Sequence, residues 1–187
     1  MLKRIVFLCL LLLTACNYPS GTASPIATEN ITTPSSSTSL APATTSSYGQ
    51  CGYVEAYQNL ADISAKVDQA VKTVQPDASG RAQAYGENCI HTDGHADFLA
   101  KETDFYVTIN ATNLKDNNEL GTWIINVMDA LAPFSPGVVP GPQPGFVEFS
   151  FKTTDDQKGM RVYICQYKQL PTGLSGAEVI KALSSNP

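Results

Sequence analysis

The sequence is poor in the residues that most site chemistry requires. It holds two histidines, one tryptophan and only 16% charged residues among 187 positions. Gly-x-Ser-x-Gly, His-Glu-x-x-His, Ser-x-x-Lys, a phosphate-cradling glycine loop and a dinucleotide fingerprint are all missing, so none of the common hydrolase, zinc-protease or nucleotide-binding signatures is available. Basic residues number 12 against 17 acidic ones, a formal net charge of −5 with no basic stripe, which leaves nucleic acid without a complementary surface. No apolar run approaches the roughly 20 residues that a membrane-spanning helix needs.

The chain does carry a short leader. Lys3 and Arg4 precede an apolar run from Ile5 to Leu13, the charge and length of a secretory signal rather than of a span. The run ends in Leu13-Thr14-Ala15-Cys16, which resembles the lipobox of bacterial lipoproteins. That resemblance implies cleavage after residues 1–15 and a lipidated Cys16, with palmitate-type acyl chains at the new N-terminus. Two acyl chains anchor stably where one binds marginally, so the expected partner of Cys16 is a membrane surface. Asn17 stands where Asp would signal inner-membrane retention, which implies the outer membrane in a two-membrane cell and otherwise the outer face of the plasma membrane.

Residues 17–47 contain 19 Ser, Thr or Pro among 31, too little apolar surface to offset the entropy of ordering. The stretch from Cys16 to Ser47 therefore reads as a lipidated, disordered tether, able to reach about 100 Å when extended. Residues 48–187 form one domain's length of chain.

Within that domain the spacing of Tyr57, Leu60, Ile63, Val67, Val71 and Val74 predicts a helix over residues 53–75, ended by Pro76. Arg81–His91 and Thr103–Asn110 read as a hairpin around Thr92-Asp93-Gly94. A second helix, 116–132, opens with Asp116 and Glu119 in capping-box spacing. Five prolines and three glycines in residues 133–145 mark a stiff loop. A second hairpin follows, 146–153 and 160–168, with Val147, Phe149, Phe151, Met160, Val162 and Ile164 inward. Ser175 and Glu178 cap a last helix. The expected fold is α+β, in the order α-β-β-α-β-β-α, with a four-stranded antiparallel sheet of two hairpins covered by helices on one face.

Three cysteines follow the anchor: Cys51, Cys89 and Cys165. Export predicts one disulfide and one unbridged thiol. Strand alternation makes Cys89–Cys165 the first choice and Cys51–Cys89 the next. The uncovered face is expected to show Tyr106, Thr108, Glu148, Ser150, Arg161, Tyr163 and Tyr167, a set suited to a protein, peptide or glycan ligand. Both histidines fall in one cluster, Cys89, His91, Asp93, His95 and Asp97, whose thiolate, imidazole and carboxylate groups are metal-type ligands. Glu102 and Asp104, two apart before a strand, are a possible carboxylate pair. The functional expectation is a membrane-anchored extracytoplasmic lipoprotein presenting a binding or structural domain, without a cofactor and with no catalytic residue to name. The alternative is a metal-dependent or hydrolytic envelope enzyme centred on His91 and His95.

Overall fold

The computed structural model describes residues 51–185. The leader, Cys16 and the tether lie outside the described residues. The elements are β1 (Gly52–Asn59), α1 (Ala61–Val74), β2 (Ser79–Ile90), β3 (Ala96–Asn110), α2 (Asn117–Leu131), β4 (Gln143–Lys152), β5 (Gln157–Tyr163), α3 (Ile164–Tyr167) and α4 (Gly176–Ser184).

The class is α+β, but the sheet has five strands in the order β1-β2-β3-β4-β5 rather than four. It is also mixed: β3 and β4 run parallel, while the other neighbours are antiparallel. The physical reason lies in the connection. A strand that continues into a helix and then rejoins the same sheet beside itself returns in the same direction, whereas a tight hairpin reverses it. Residues 111–142, with α2 inside them, make that crossover, so the two hairpins meet along a parallel seam.

The other correction is β1. Residues 53–59 form an edge strand, and the helix begins only at Ala61. Leu60 stands at the N-cap without a side-chain cap, so no Ser, Thr, Asp or Gly announces the break. Tertiary contacts fix it instead: Ser64 Oγ donates to Ala82 O at 3.1 Å and accepts from Ala82 N at 2.9 Å. The end of α1 falls where Pro76 requires, with Gln75 in extended geometry. Gln75 then uses both ends of its amide on Asn110, donating to its carbonyl and accepting from its N–H, each at 2.8 Å.

All helical packing lies on one face. Phe105, Val107, Ile109, Val147, Phe149, Phe151 and Val162 from the sheet are buried against Val67 and Val71 of α1 and Leu120, Ile124, Val127 and Leu131 of α2, with Val179 and Ile180 of α4. Gly121 and Gly176 are where α2 and α4 cross, and a Cβ on Gly121 would collide with Gly176 backbone. Ser175 and Glu178 form the expected capping box. At α2 only half of one forms: Asp116 accepts from Asn118 N and Glu119 N, while Glu119 turns to Thr112 and Asn113. Among the described residues no helix is long and apolar enough to cross a membrane.

Candidate functional site

Side chains alternate across a strand, so register decides which residues share the uncovered face. Arg81 pairs with Tyr106, Tyr106 with Glu148, and Glu148 with Arg161. A row of cation, aromatic, anion and cation therefore crosses four strands. The two end pairs touch: the Arg81 guanidinium lies 3.7 Å from the Tyr106 ring centroid, and Arg161 donates to Glu148 Oε2 from Nη2 at 2.7 Å and from Nε at 3.2 Å. The Glu148 hydrogen bond is the main reason the Arg161 pKa is raised further above its ordinary value. The same guanidinium stacks 4.0 Å from the Phe146 ring centroid, and Tyr106 and Tyr163 both meet Phe146 edge-on, at 5.9 and 6.2 Å. Beside the row, Ser79, Thr108 and Ser150 line a shallow depression of about 360 Å³ together with Arg81, Tyr106 and Glu148.

The face thus brings together Tyr106, Thr108, Glu148, Ser150, Arg161 and Tyr163. It excludes Tyr167 and Cys165. β5 stops at Tyr163, and residues 164–167 turn into α3, so strand alternation no longer applies to them. Tyr167 packs against the core from the helical side and borders an apolar cavity of about 210 Å³ with Phe105, Met128 and Val147; burial raises its phenol pKa. Among the described residues the bridge joins Cys51 to Cys89, the second of the two expected pairings, rather than Cys89 to Cys165. Tyr53 stands directly opposite Cys89 in the register, which brings the start of β1, and with it Cys51, beside the far end of β2.

Sequence reasoning missed the contribution of β1 and β2. Tyr53 and Tyr57 are 64% and 61% exposed. By register they extend the face past Tyr85, whose ring lies 5.2 Å from that of Tyr57 and whose hydroxyl donates to Glu55 Oε1 at 2.9 Å.

Glu102 and Asp104 do share this face, as strand alternation requires. Asp104 is only 2% exposed and occupies an irregularity in the β3–β4 register, where its Oδ1 accepts from Phe146 N at 3.3 Å. Gly145 makes room for it, since a Cβ there would collide with the carboxylate. Desolvation pushes the Asp104 pKa up to about 6, and burial also raises that of Glu102. With a backbone amide as its partner, Asp104 serves the bulge.

A second cluster sits at the tip of the β2–β3 hairpin. His91 N donates to His95 O at 2.9 Å and Gly94 N to His91 O at 3.0 Å, and Gly94 takes the left-handed φ of 88° that closes the turn. Asp97 is the register partner of Cys89, so positions 89, 91, 95 and 97 project to one side. The imidazoles of His91 and His95 stack with centroids 4.0 Å apart and planes 5° from parallel. One nitrogen or carboxylate oxygen from each of His91, His95 and Asp97 falls within 4.8 Å of the others. Cys89, a candidate ligand by sequence, is committed to the disulfide, with its Sγ 3.5 Å from His91 Nε2. Asp93 turns to His95, accepting from its backbone N–H at 3.1 Å and lying 2.5 Å from its Nδ1; these bonds, the backbone one foremost, lower its pKa.

No family model matches the chain, and neither the curated proteins nor the solved structures include one significantly similar to it.

Proposed function

We propose that the chain is a membrane-anchored extracytoplasmic lipoprotein whose domain binds a protein partner through the uncovered face of its sheet. The anchor rests on Leu13-Thr14-Ala15-Cys16. The observation that carries the binding reading is the continuous row Arg81, Tyr106, Glu148 and Arg161, flanked by Tyr53, Tyr57, Tyr85 and Tyr163. Tyr and Arg are the residues most enriched at the energetic centres of protein interfaces, because each combines a large contact area with directed hydrogen bonds. The relief favours a protein over a small molecule, which needs a concave pocket to bury most of its surface. The face offers an open array with both signs of charge already ordered, so little rotamer entropy remains to be lost on docking.

The test is a photocrosslinker placed at Tyr57 on the sheet face or at Lys66 on the helical face of the full-length protein in its own membrane. The expected result is one discrete product from position 57 and none from position 66. That product should disappear when Tyr53, Arg81 and Tyr106 are changed to Ala, with the thermal midpoint nearly unchanged. Equal crosslinking from both faces, or a product indifferent to the three substitutions, would overturn the assignment. Cys16→Ala should release the protein from the membrane fraction; retention there would remove the anchor.

A further inference from the structure

Each carboxylate at the hairpin tip has a separate task. Asp93 lies against Nδ1 of His95 at 2.5 Å. A carboxylate in that position holds the proton on Nδ1 and leaves the Nε2 lone pair facing away, the arrangement in which metal-bound histidines are usually oriented. Nε2 of His95 then faces Asp97 Oδ2 at 3.5 Å. The same oxygen is 3.0 Å from Nε2 of His91. The two imidazole nitrogens thus converge on one carboxylate oxygen, a space that a shared proton or a single cation fills.

We propose that His91, His95 and Asp97 form a binding site for a borderline divalent transition cation, of which zinc is the type, with Asp93 as the positioning residue for His95. Distances favour this class. With zinc bonds of about 2.0–2.1 Å to nitrogen and oxygen, ligand atoms in a tetrahedral site stand roughly 3.3 Å apart, close to the 3.0 and 3.5 Å between Asp97 Oδ2 and the two imidazoles. Two imidazoles with one carboxylate select zinc, copper or nickel over calcium and magnesium, which take oxygen ligands. Three protein ligands leave a fourth position open to water or to a group from another molecule. The scaffold is stiff where this matters: the Cys51–Cys89 bridge fixes the strand two residues before His91, and the His91–His95 backbone bond closes the turn. This site is independent of the sheet-face reading and stands or falls separately.

The chain has no other histidine, so every imidazole signal reports this site. The mature full-length protein, stripped with chelator and without a purification tag, is titrated with zinc by calorimetry and with cobalt by absorption. The expected result is one equivalent bound, with a cobalt spectrum of nitrogen and oxygen ligands. His91→Ala, His95→Ala and Asp97→Ala should each weaken binding by at least about tenfold. Asp93→Asn keeps an acceptor for the His95 amide and so preserves the turn. It should still weaken zinc about tenfold at unchanged stoichiometry, the size expected for an outer-shell carboxylate. Cys165→Ser should leave binding intact. Absence of a saturable site, binding that survives the double His91→Ala/His95→Ala change, or binding lost with Cys165 would each overturn the proposal.

Discussion

The central hairpin, β2 and β3, behaves as two different materials along its length. In the body of the domain, β3 from Thr103 to Ile109 buries every second residue under α1 and α2, and Val107 and Ile109 are almost or wholly inaccessible. In the arm, formed by the far halves of β1, β2 and β3, Val54, Leu99 and Ile90 remain 57%, 61% and 38% exposed, and β1 packs almost wholly against β2. The body is held by apolar burial. The arm is held by ladder hydrogen bonds, the Lys101–Glu87 ion pair, the Tyr85–Glu55 hydrogen bond and one disulfide. An exposed ion pair is worth about 0–1 kcal/mol, so the covalent bridge is the arm's principal restraint. Regions of this kind open locally at lower cost than the core. Both candidate surfaces use the arm or adjoin it, and the core supplies the platform.

The largest separation between the two regions should come from truncating apolar side chains. Phe149→Ala, in the body, should cost about 3–5 kcal/mol, whereas Leu99→Ala, in the arm, should stay within about 0.5 kcal/mol. Denaturant titration of both variants checks this, and comparable losses would erase the distinction. Next in size is the bridge. Replacing Cys51 and Cys89 with Ser should cost about 2–4 kcal/mol, and hydrogen exchange should accelerate in β1 and the end of β2 while α2 keeps the protection that the lower global stability allows. Uniform acceleration along the chain would show that arm and body unfold as one unit.

The smallest effect depends on pH. Burial pushes the folded Asp104 carboxyl up to about 6 from its ordinary 3.8, so the folded state holds its proton more tightly. The stability it contributes is fully present below pH 3.8, declines as pH rises, and is gone above about pH 6. The shift corresponds to about 2–3 kcal/mol at most. Asp104→Asn can keep the bond to Phe146 N, so the variant should gain on the wild type steadily between pH 4 and 6.5 and then hold a constant advantage. Thermal midpoints of both proteins across that range check this; a parallel pair of curves would show that Asp104 does not titrate in the window.

What the residues disclosed beforehand follows the same division. The helical residues from Ile63 onward, α2 and α4 with their caps, the inward row Val147, Phe149 and Phe151, and the face shared by Tyr106, Glu148 and Arg161 were legible, because each has one buried side and thus a clear period. β1 was not. An edge strand exposed on both faces has no buried side to impose alternation, and Tyr57, Leu60 and Ile63 continue by coincidence into helical spacing. The parallel seam escaped because hairpins are local signals while the order of hairpins in a sheet is not. Tyr167 and Cys165 were misplaced by extending a period of two beyond the residue where the strand becomes α3. At the hairpin tip the ligand types were visible, but the split between Asp97 and Asp93 required the turn geometry.

The bridge at Cys51 has a mechanical meaning as well. Any tension carried by the preceding residues enters the described domain at the end of β1, an edge strand that would otherwise peel from β2 one hydrogen bond after another. With Cys51 joined to Cys89, the pull passes at its first point of contact into the long central hairpin. The force then bears on β2, which is paired with β1 on one side and β3 on the other, and the edge strand is taken out of the load path.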